Sequence, residues 1–357
     1  MGHLIFGQRC LSLRRPTWHG CGFVTQEEMT AREALLHIDG DLSIRLHENF
    51  TQIEGELVPL TTRSIVRHPT LDNPEYAVLG QAGPEYSLIT PGDVADLWDA
   101  HVGCPIETMG CLKQGAIFFC TTRLPTLDVK GDPVEMYLAA FSPMDGQRSA
   151  SAEIVPVRVI CMNTLRLAQA QAQISYRVVH DAGARERFGL WLREAYERAI
   201  SNSHSLAETF DFLASKTISD NIAASIIRRA YPDPRRPRFH APDETMAVRL
   251  ERWEKTRERI LHRRETALAL FKGDGTGMDS RAAMGTTWGC YNAITETENF
   301  RKGFAKGGLA AEDRRVGEDI LTGARGEAMA RAFSACLAVA GGGPESGGFP
   351  RFDPSLN

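Results

Sequence analysis

The sequence has no long apolar run and no secretory leader. Nowhere in the 357 residues is there an uncharged apolar stretch of about 18 residues, the length that a membrane-spanning helix needs. The segment from Met1 to Arg15 also lacks the sustained apolar core and the cleavage site of a signal peptide. We therefore expect no membrane association and no secretion, and we predict a cytoplasmic protein.

Cysteine pairs are also missing. The eight cysteines are scattered, and none forms a C-x-x-C pair. In a chain of this size that distribution is typical of reduced, mostly buried thiols rather than of a disulfide framework or a structural zinc site. We predict no bound metal.

Motifs of catalysis are absent as well. The sequence has no H-E-x-x-H, P-loop or G-x-S-x-G pattern, and its acidic residues lack the spacing of a two-metal nuclease. The glycine-rich segment from Gly273 to Gly277 follows a predicted helix instead of a strand, which is the wrong context for phosphate binding. We predict that the protein is not an enzyme and needs no cofactor, and a hydrolase or nuclease is disfavoured.

The charge is small overall but uneven along the chain. The net charge is −4, which gives no general case for nucleic-acid binding, yet residues 228–265 contain 12 Lys and Arg against 7 Asp and Glu. An acidic protein can bind nucleic acid through such a local basic surface. A solvated helix with internal salt bridges is the other interpretation.

The hydrophobic pattern predicts an α+β fold in which an antiparallel sheet with a strand-strand-strand-helix core precedes a mostly helical C-terminal half. Three strands are expected within 108–124, 134–142 and 149–162, with a hairpin turn at Asp145-Gly146 and a helix from Asn163. A further strand is expected within 174–180. Thr90, Pro91 and Asp93 predict a helix start. The predicted divisions are an N-terminal arm (1–38), the core (39–182), a helical region packed on it (183–340) and a disordered tail (341–357).

One arginine stands inside the alternating run from Val155 to Leu165. The alternation places Arg158 on the strand face opposite Val155 and Val157. A guanidinium on a covered face needs an anion, because it cannot lose its charge. The anion is either a carboxylate of the fold, such as Glu153 or Glu296, or a phosphate from outside.

Other basic and aromatic residues are candidates for nucleic-acid contacts. Beside Arg158, the candidates around the three strands are Lys113, Arg148 and Arg166, and an outer basic arm contains Arg235, Arg236 and Arg238. Each alone is better explained as a surface charge that aids solubility, and together they could line a groove that binds phosphates. Trp288 and Tyr291 begin a helical stripe with Asn292, Thr295 and Asn299. That stripe suits base stacking, or packing against a sheet with satisfied polar groups.

Four segments, taken in order, resemble a phage/plasmid-like family of unknown function that is found on prophages, phages and conjugative plasmids. They are Pro16–Gly20, Gly83–Tyr86, Val155–Leu165 and Thr287–Glu296, and the resemblance extends from about Trp18 to Asn299. The family implies a mobile-element setting but no established activity. The predicted strand-strand-strand-helix order is also similar, at the level of fold, to single-strand annealing recombination proteins.

We therefore predict a mobile-element DNA-binding protein that holds single strands and promotes their annealing in recombination or replication, and that forms a homo-oligomer. Neutralising phosphates and exposing bases for pairing requires no catalytic group. The alternative is a non-enzymatic adaptor or inhibitor that binds a host defence protein or a host or phage replication protein. Its mark would be an exposed apolar patch without affinity for DNA.

Overall fold

The structure is a computed structural model that describes residues 5–14, 22–158, 163–164, 175–201, 203–237, 244–299 and 324–341. Within these ranges the chain forms eight α-helices and two β-sheets. The α+β class and the mostly helical C-terminal half are confirmed.

The elements alternate at first and become helical after residue 183. The strands are β1 (Ile5–Leu13), β2 (Phe23–Thr25), β3 (Ile44–Ile53), β4 (Glu56–Arg67), β5 (Ala77–Ala82), β6 (Thr108–Leu112), β7 (Ile117–Val129), β8 (Asp132–Pro143), β9 (Ala150–Arg158), β10 (Asn163–Thr164) and β11 (Ser175–Val178). The helices are α1 (Ala31–His37), α2 (Pro91–His101), α3 (Ala184–Ser201), α4 (Ser203–Ser215), α5 (Asp220–Ala230), α6 (Glu244–Ala269), α7 (Thr287–Asn299) and α8 (Ala324–Ala340).

The larger sheet has eight strands in the order β10-β9-β8-β7-β6-β1-β2, with β11 on the same edge of β9 as β10. All of its pairs are antiparallel except β1 with β2, so the sheet is mixed and larger than predicted. The smaller sheet is antiparallel in the order β3-β4-β5. The predicted N-terminal arm contains β1, which lies inside the larger sheet because Cys10, Leu11 and Leu13 bury their side chains there.

The hairpin between β8 and β9 forms where the sequence predicts it. Asp145 Oδ1 accepts hydrogen bonds from the backbone N–H of Gln147 (3.0 Å) and of Arg148 (3.1 Å). Gly146 has a φ of +72°, and a Cβ at this position would lie 1.9 Å from the carbonyl oxygen of Gln81. Only glycine fits this turn, which therefore also fixes the contact between the two sheets.

The helix predicted from Asn163 is wrong at its first residues. Asn163 and Thr164 form β10, paired with Arg158 and Val157 of β9. The free edge of β9 offers backbone hydrogen bonds to the returning chain, and these outweigh the capping preference of an asparagine. Residues 165–174 lie outside the described ranges, and β11 then returns to the same edge.

The start of α2 is confirmed by a complete capping box. Thr90 Oγ1 accepts from Asp93 N (3.2 Å), and Thr90 N donates to Asp93 Oδ2 (2.9 Å). Pro91 occupies the first helical turn, where its missing N–H costs nothing. The helix ends at His101.

The two ends of the larger sheet carry different structures. The smaller sheet contacts the end where β8 turns into β9, since a Cβ on Gly80 would lie 2.1 Å from Asp145 O. Helix α7 contacts the opposite end, where Trp288 Nε1 donates to Asp132 Oδ2 at the β7–β8 turn (3.0 Å). Residues 134 to 141 of β8 separate these ends by about 23 Å, at about 3.3 Å per residue.

A buried arginine joins β1 to the smaller sheet. Arg9 donates to both oxygens of Asp72 (2.6 and 2.8 Å) and to Asp39 Oδ2 (2.9 Å), and this contact holds the pKa of Asp72 well below its usual range. The guanidinium carbons of Arg9 and Arg67 each lie 4.6 Å from the centre of the Phe6 ring. Two cations thus share one aromatic ring, which fixes β1 against β4.

Replacing this arginine should destabilise the fold. We expect Arg9→Met to lower the free energy of unfolding by about 1–3 kcal/mol, because the substitution removes charge-assisted hydrogen bonds to two carboxylates. Both carboxylates are more than half exposed, so water limits the loss to the lower part of that range. Urea unfolding measures it. Arg14→Met is the matched control, since the Arg14–Glu28 pair is exposed and should contribute less than about 0.5 kcal/mol. Equal effects of the two substitutions would contradict this.

Candidate nucleic-acid interface

The long helix α6 separates its charges onto two faces. At 100° per residue, Glu251, Glu254, Glu258 and Glu265 follow one line along the helix, and Arg252, Lys255, Arg259 and Arg263 follow another. In this second line all but Arg263 are exposed. A helix that is merely solvated by internal salt bridges intersperses the two signs, so this separation indicates a cationic face.

The loop after α5 packs on α6 around a tryptophan. Trp253 is half-buried, and its Nε1 donates to the carbonyl oxygen of Pro234 (3.0 Å). The guanidinium carbons of Arg236 and Arg257 each lie 5.8 Å from the centre of the tryptophan ring. Arg264 fastens the loop by pairing with Asp233 (2.9 Å). The predicted basic arm is therefore held against α6 by an aromatic ring.

We call the exposed cations of this region the basic surface. Its members are Arg228 and Arg229 of α5, Arg235 and Arg236 of the loop, and Arg249, Arg252, Lys255, Arg257 and Arg259 of α6. Among the described residues, Lys255 is the one member with a carboxylate partner, Glu251. Exposed cations without internal counter-ions are available to neutralise a bound polyanion.

The predicted contacts on the sheet do not join this surface. Arg148 is half-buried and pairs with Asp145 (2.6 Å), and Lys113 is half-buried in the turn after β6. Both lie at the end of the larger sheet that faces the smaller one. They are thus separated from the helical half that carries Arg235 and Arg236.

Three other predicted contacts fall partly or wholly outside the described part of the chain. The backbone of Arg158 pairs with Val134 and Asn163 at the end of β9, but its side chain is not among those described. Arg166 and Arg238 lie outside the described ranges altogether. Whether Arg158 meets a carboxylate or a phosphate therefore stays a prediction.

Trp288 and Tyr291 must be reassigned from base stacking to packing. Both side chains are 0% exposed. The Trp288 ring lies 4.8 Å from that of Phe210, the Tyr291 ring lies 5.2 Å from that of Phe333, and burial raises the pKa of Tyr291. A base has no access to either ring in this structure. The packing alternative, which the stripe equally allowed, is the correct one.

Helix α7 is buried along its described length although half of its side chains are polar. Asn292 Nδ2 donates to Trp288 O (2.9 Å), and Thr297 Oγ1 donates to Ala293 O (2.8 Å), so these groups use the helix's own carbonyls. Glu296 Oε2 accepts from the backbone N–H of Thr276 (3.0 Å), in the glycine-rich loop before α7. That loop binds a carboxylate of the fold.

The Gly83–Tyr86 segment is held by groups that the sequence did not reveal as partners. Arg63 Nη2 donates to the carbonyl oxygens of Pro84 and of Tyr86 (3.2 Å). The Tyr86 ring stacks on His180 at 4.8 Å and 14°, and His180 Nδ1 lies 3.0 Å from Ser87 O. Burial raises the pKa of Tyr86 and lowers that of His180. The arrangement is a structural clamp between the two sheets and the start of α3.

Comparison with known proteins places the chain in a family without giving it a function. The fold and the basic surface define a mixed α+β protein with a cationic helical face. Residues 78–316 match the family described as "Domain of unknown function (DUF932)", and the chain belongs to that family. No curated protein and no solved structure matches it.

The described residues contain neither a membrane-spanning helix nor a metal-binding cluster. No helix there combines the length and the apolar character needed to cross a membrane. No group of three or more His, Cys, Asp or Glu side chains in those ranges is arranged to hold a metal ion. The six described cysteines are free thiols, and all but Cys104 are buried, as the sequence predicts.

The reassignment of Trp288 is testable. We expect Trp288→Phe to lower the free energy of unfolding by about 1–3 kcal/mol, since Asp132 loses the indole donor in a buried site. The oligonucleotide affinity of the folded protein should not change, because the ring has no exposed surface. Urea unfolding and fluorescence anisotropy measure the two quantities. Trp253→Phe is the matched control. Expressed as free energies, its loss of oligonucleotide affinity should exceed its loss of unfolding free energy, and the reverse pattern would contradict the assignment.

The clamp should make stability depend on pH. The pKa of His180 in the folded protein lies below its ordinary value of 6.5, so the unfolded chain binds more protons between the two values. The contribution of His180 is therefore complete above pH 6.5 and is lost as the pH falls toward the folded-state pKa. We expect His180→Gln to flatten the decline in unfolding free energy between pH 7 and about pH 5. His204→Gln, at an exposed site, should leave the profile unchanged, and an unaltered slope in His180→Gln would refute the assignment.

Proposed function

We propose that this protein binds single-stranded DNA through the basic surface and promotes annealing of complementary strands, as a non-enzymatic protein of a mobile element. The observation that carries the proposal is the position of Arg235 and Arg236 beside Trp253. There the basic loop and α6 together form the basic surface, whose cations, Lys255 excepted, have no carboxylate partner among the described residues.

The chemistry of this region suits an unpaired strand. The exposed part of the cationic line, from Arg252 to Arg259, extends over about 11 Å at 1.5 Å per residue, which is long enough to meet more than one phosphate of a strand. The exposed guanidinium planes of Arg236 and Arg257 offer stacking surfaces to bases whose Watson–Crick edges stay free for pairing. Such binding tolerates any sequence, as annealing requires.

The finer parts of the proposal have other support. The mobile-element setting comes from the sequence resemblance, which the match to a family of unknown function does not address. The annealing step is inferred from the similar strand-strand-strand-helix order. In the structure Asn163 and Thr164 pair as β10, so they do not begin the helix that this comparison expects. The proposal of DNA binding through the basic surface depends neither on the mobile-element setting nor on the annealing step.

The test is the affinity for a labelled single-stranded oligonucleotide at several salt concentrations. We expect Arg235→Ala/Arg236→Ala to weaken binding about 20-fold at 0.1 M salt. The log–log salt slope should fall by about 1.4, or about 0.7 for each phosphate that the variant no longer neutralises. Arg177→Ala/Arg193→Ala removes the same charge from exposed sites on β11 and α3. This control should weaken binding less than about threefold through net charge alone.

Two further measurements complete the design. Annealing of complementary labelled strands should be faster with the wild-type chain than with Arg235→Ala/Arg236→Ala, and a double-stranded competitor should displace the single strand poorly. Undetectable or salt-insensitive binding by the folded wild-type protein would overturn the proposal. Equal losses of oligonucleotide affinity in the variant and in its charge-matched control would show that the basic surface is not the binding site.

A second candidate, the adaptor or inhibitor of a host defence or replication protein, is favoured by a different observation. The hairpin of β3 and β4 exposes large apolar side chains, among them Phe50 (51% exposed) and Leu57 (71% exposed). Exposed apolar clusters mark protein-binding surfaces. This candidate requires that the folded chain lacks oligonucleotide affinity and remains a monomer in the absence of its partner.

A further inference from the structure

The outer half of the β3–β4 hairpin projects beyond the smaller sheet. Strand β5 pairs with β4 only between Arg63 and Arg67, so β3 and β4 continue from there as a two-stranded ribbon, residues 48–60. In the described part of the chain no third strand pairs with either edge of the ribbon. An isolated two-stranded ribbon is at best marginally stable in water, which indicates that another surface supports this one.

Both faces of the ribbon are apolar and exposed. Directly paired residues share a face, so Phe50 and Leu57 lie on one face, with Ile53 (55% exposed) and Val58 (38% exposed) on the other. A single body of the same chain covers one face of a sheet at most. Packing of one face on a layer of the same chain therefore does not support the ribbon, and its unpaired edge is the other surface through which it can be stabilised.

The edge strand β3 lacks the devices that protect natural edges. Its ten residues contain no Pro and no Lys. The irregularity of the ribbon lies in β4, where residues 60–62 face the single residue Asn49, and Pro59 also belongs to β4. Natural proteins block free edges with bulges, lysines or prolines, so a long regular edge without them is a pairing surface.

We propose that β3 pairs with β3 of a second copy of this chain, antiparallel about a two-fold axis, joining the two smaller sheets into one six-stranded sheet. A two-fold axis perpendicular to the sheet leaves corresponding faces of the two copies on the same side of the joined sheet. Residues that lie opposite each other across the axis must therefore point to the same face. The register is thereby restricted to a few alternatives.

Charge selects one register among them. With Phe50 opposite the partner's Phe50, the partner's β3 ends with Ile53 opposite His47. Arg45 therefore lies just beyond the end of that strand, beside the turn that carries Glu54, and Glu48 lies opposite the partner's Gln52. If Glu48 lies opposite the partner's Glu48, two carboxylates face each other. If Asn49 lies opposite the partner's Asn49, each Glu48 faces a phenylalanine. Like charges directly opposite are unfavourable, and an aromatic pair at the axis is favourable.

The self-complementarity of β3 decides for a second copy over a different partner. An antiparallel copy brings Arg45, just before the ribbon, to the acidic tip of its partner's ribbon at Glu54 and Glu56. The inference does not rest on the proposed DNA binding, because the basic surface lies in the helical half at the other end of the larger sheet. Association is measured without DNA, so the two proposals fail separately.

The first experiment measures mass against concentration by sedimentation velocity. The wild-type chain should pass from monomer to dimer, and Arg45→Glu or Glu54→Lys/Glu56→Lys should each shift the midpoint about tenfold upward, the effect of about 1.4 kcal/mol. Combining all three substitutions restores opposite charges across the two-fold axis, and should restore dimerisation. Leu71→Glu, at a fully exposed apolar site outside the ribbon, is the control and should leave the midpoint unchanged.

The second experiment locates the axis by disulfide formation under mild oxidation. Phe50→Cys should form a disulfide-linked dimer, because opposed residues of antiparallel strands have Cα atoms about 4.5–5.5 Å apart. Glu48→Cys, on the same face, would be about 13 Å from its copy and should not. The wild-type chain controls for its own cysteines. A monomer at every concentration, or no effect of the charge reversals, would overturn the proposal, and cross-linking through position 48 instead of 50 would overturn the register.

Discussion

The structure depends on burying a helix that is half polar. Helix α7 lies among α4, α5, α6 and α8, and it reaches the larger sheet through the indole of Trp288. A buried polar group without a hydrogen bond costs more than the net gain from most contacts. Asn292 and the threonines satisfy part of this requirement within the helix, whereas Trp288 and Glu296 form hydrogen bonds outside it, with Asp132 and Thr276. The helical half and the sheet therefore need each other to satisfy their buried polar groups.

Local signals in the sequence predicted much of the fold. The capping box at Thr90 and the turn at Asp145-Gly146 each depend on a few neighbouring residues, and both formed as expected. The failures concern long-range pairing. Strand β1 is interrupted by Arg9, whose charge is satisfied by Asp39 and Asp72 far along the chain, and no local pattern shows that such partners exist.

The candidate site divides in the same way. The excess of basic residues indicated Arg235 and Arg236, and their exposure required no tertiary information. Spacing along the sequence defines a helix face but not what covers that face. Periodicity therefore could not show that Trp253 is half-buried while Trp288 is fully buried. The difference arises from packing. Trp253 meets only a loop and two arginines, whereas Trp288 meets the core of the protein. The separated charges of α6 were readable from the sequence, and they carry more of the functional argument than either tryptophan.

The boundary of the family match separates the basic surface from the exposed ribbon. The matched residues begin at 78, within β5, and include α5 and α6 with the whole basic surface. Strands β1 to β4 precede that boundary. They include β1, which pairs with β6, and the exposed ribbon of β3 and β4. A relative that shares only the matched region would lack the ribbon. If both proposals hold, DNA binding and self-association belong to separate segments of the chain, the first inside the matched region and the second before it.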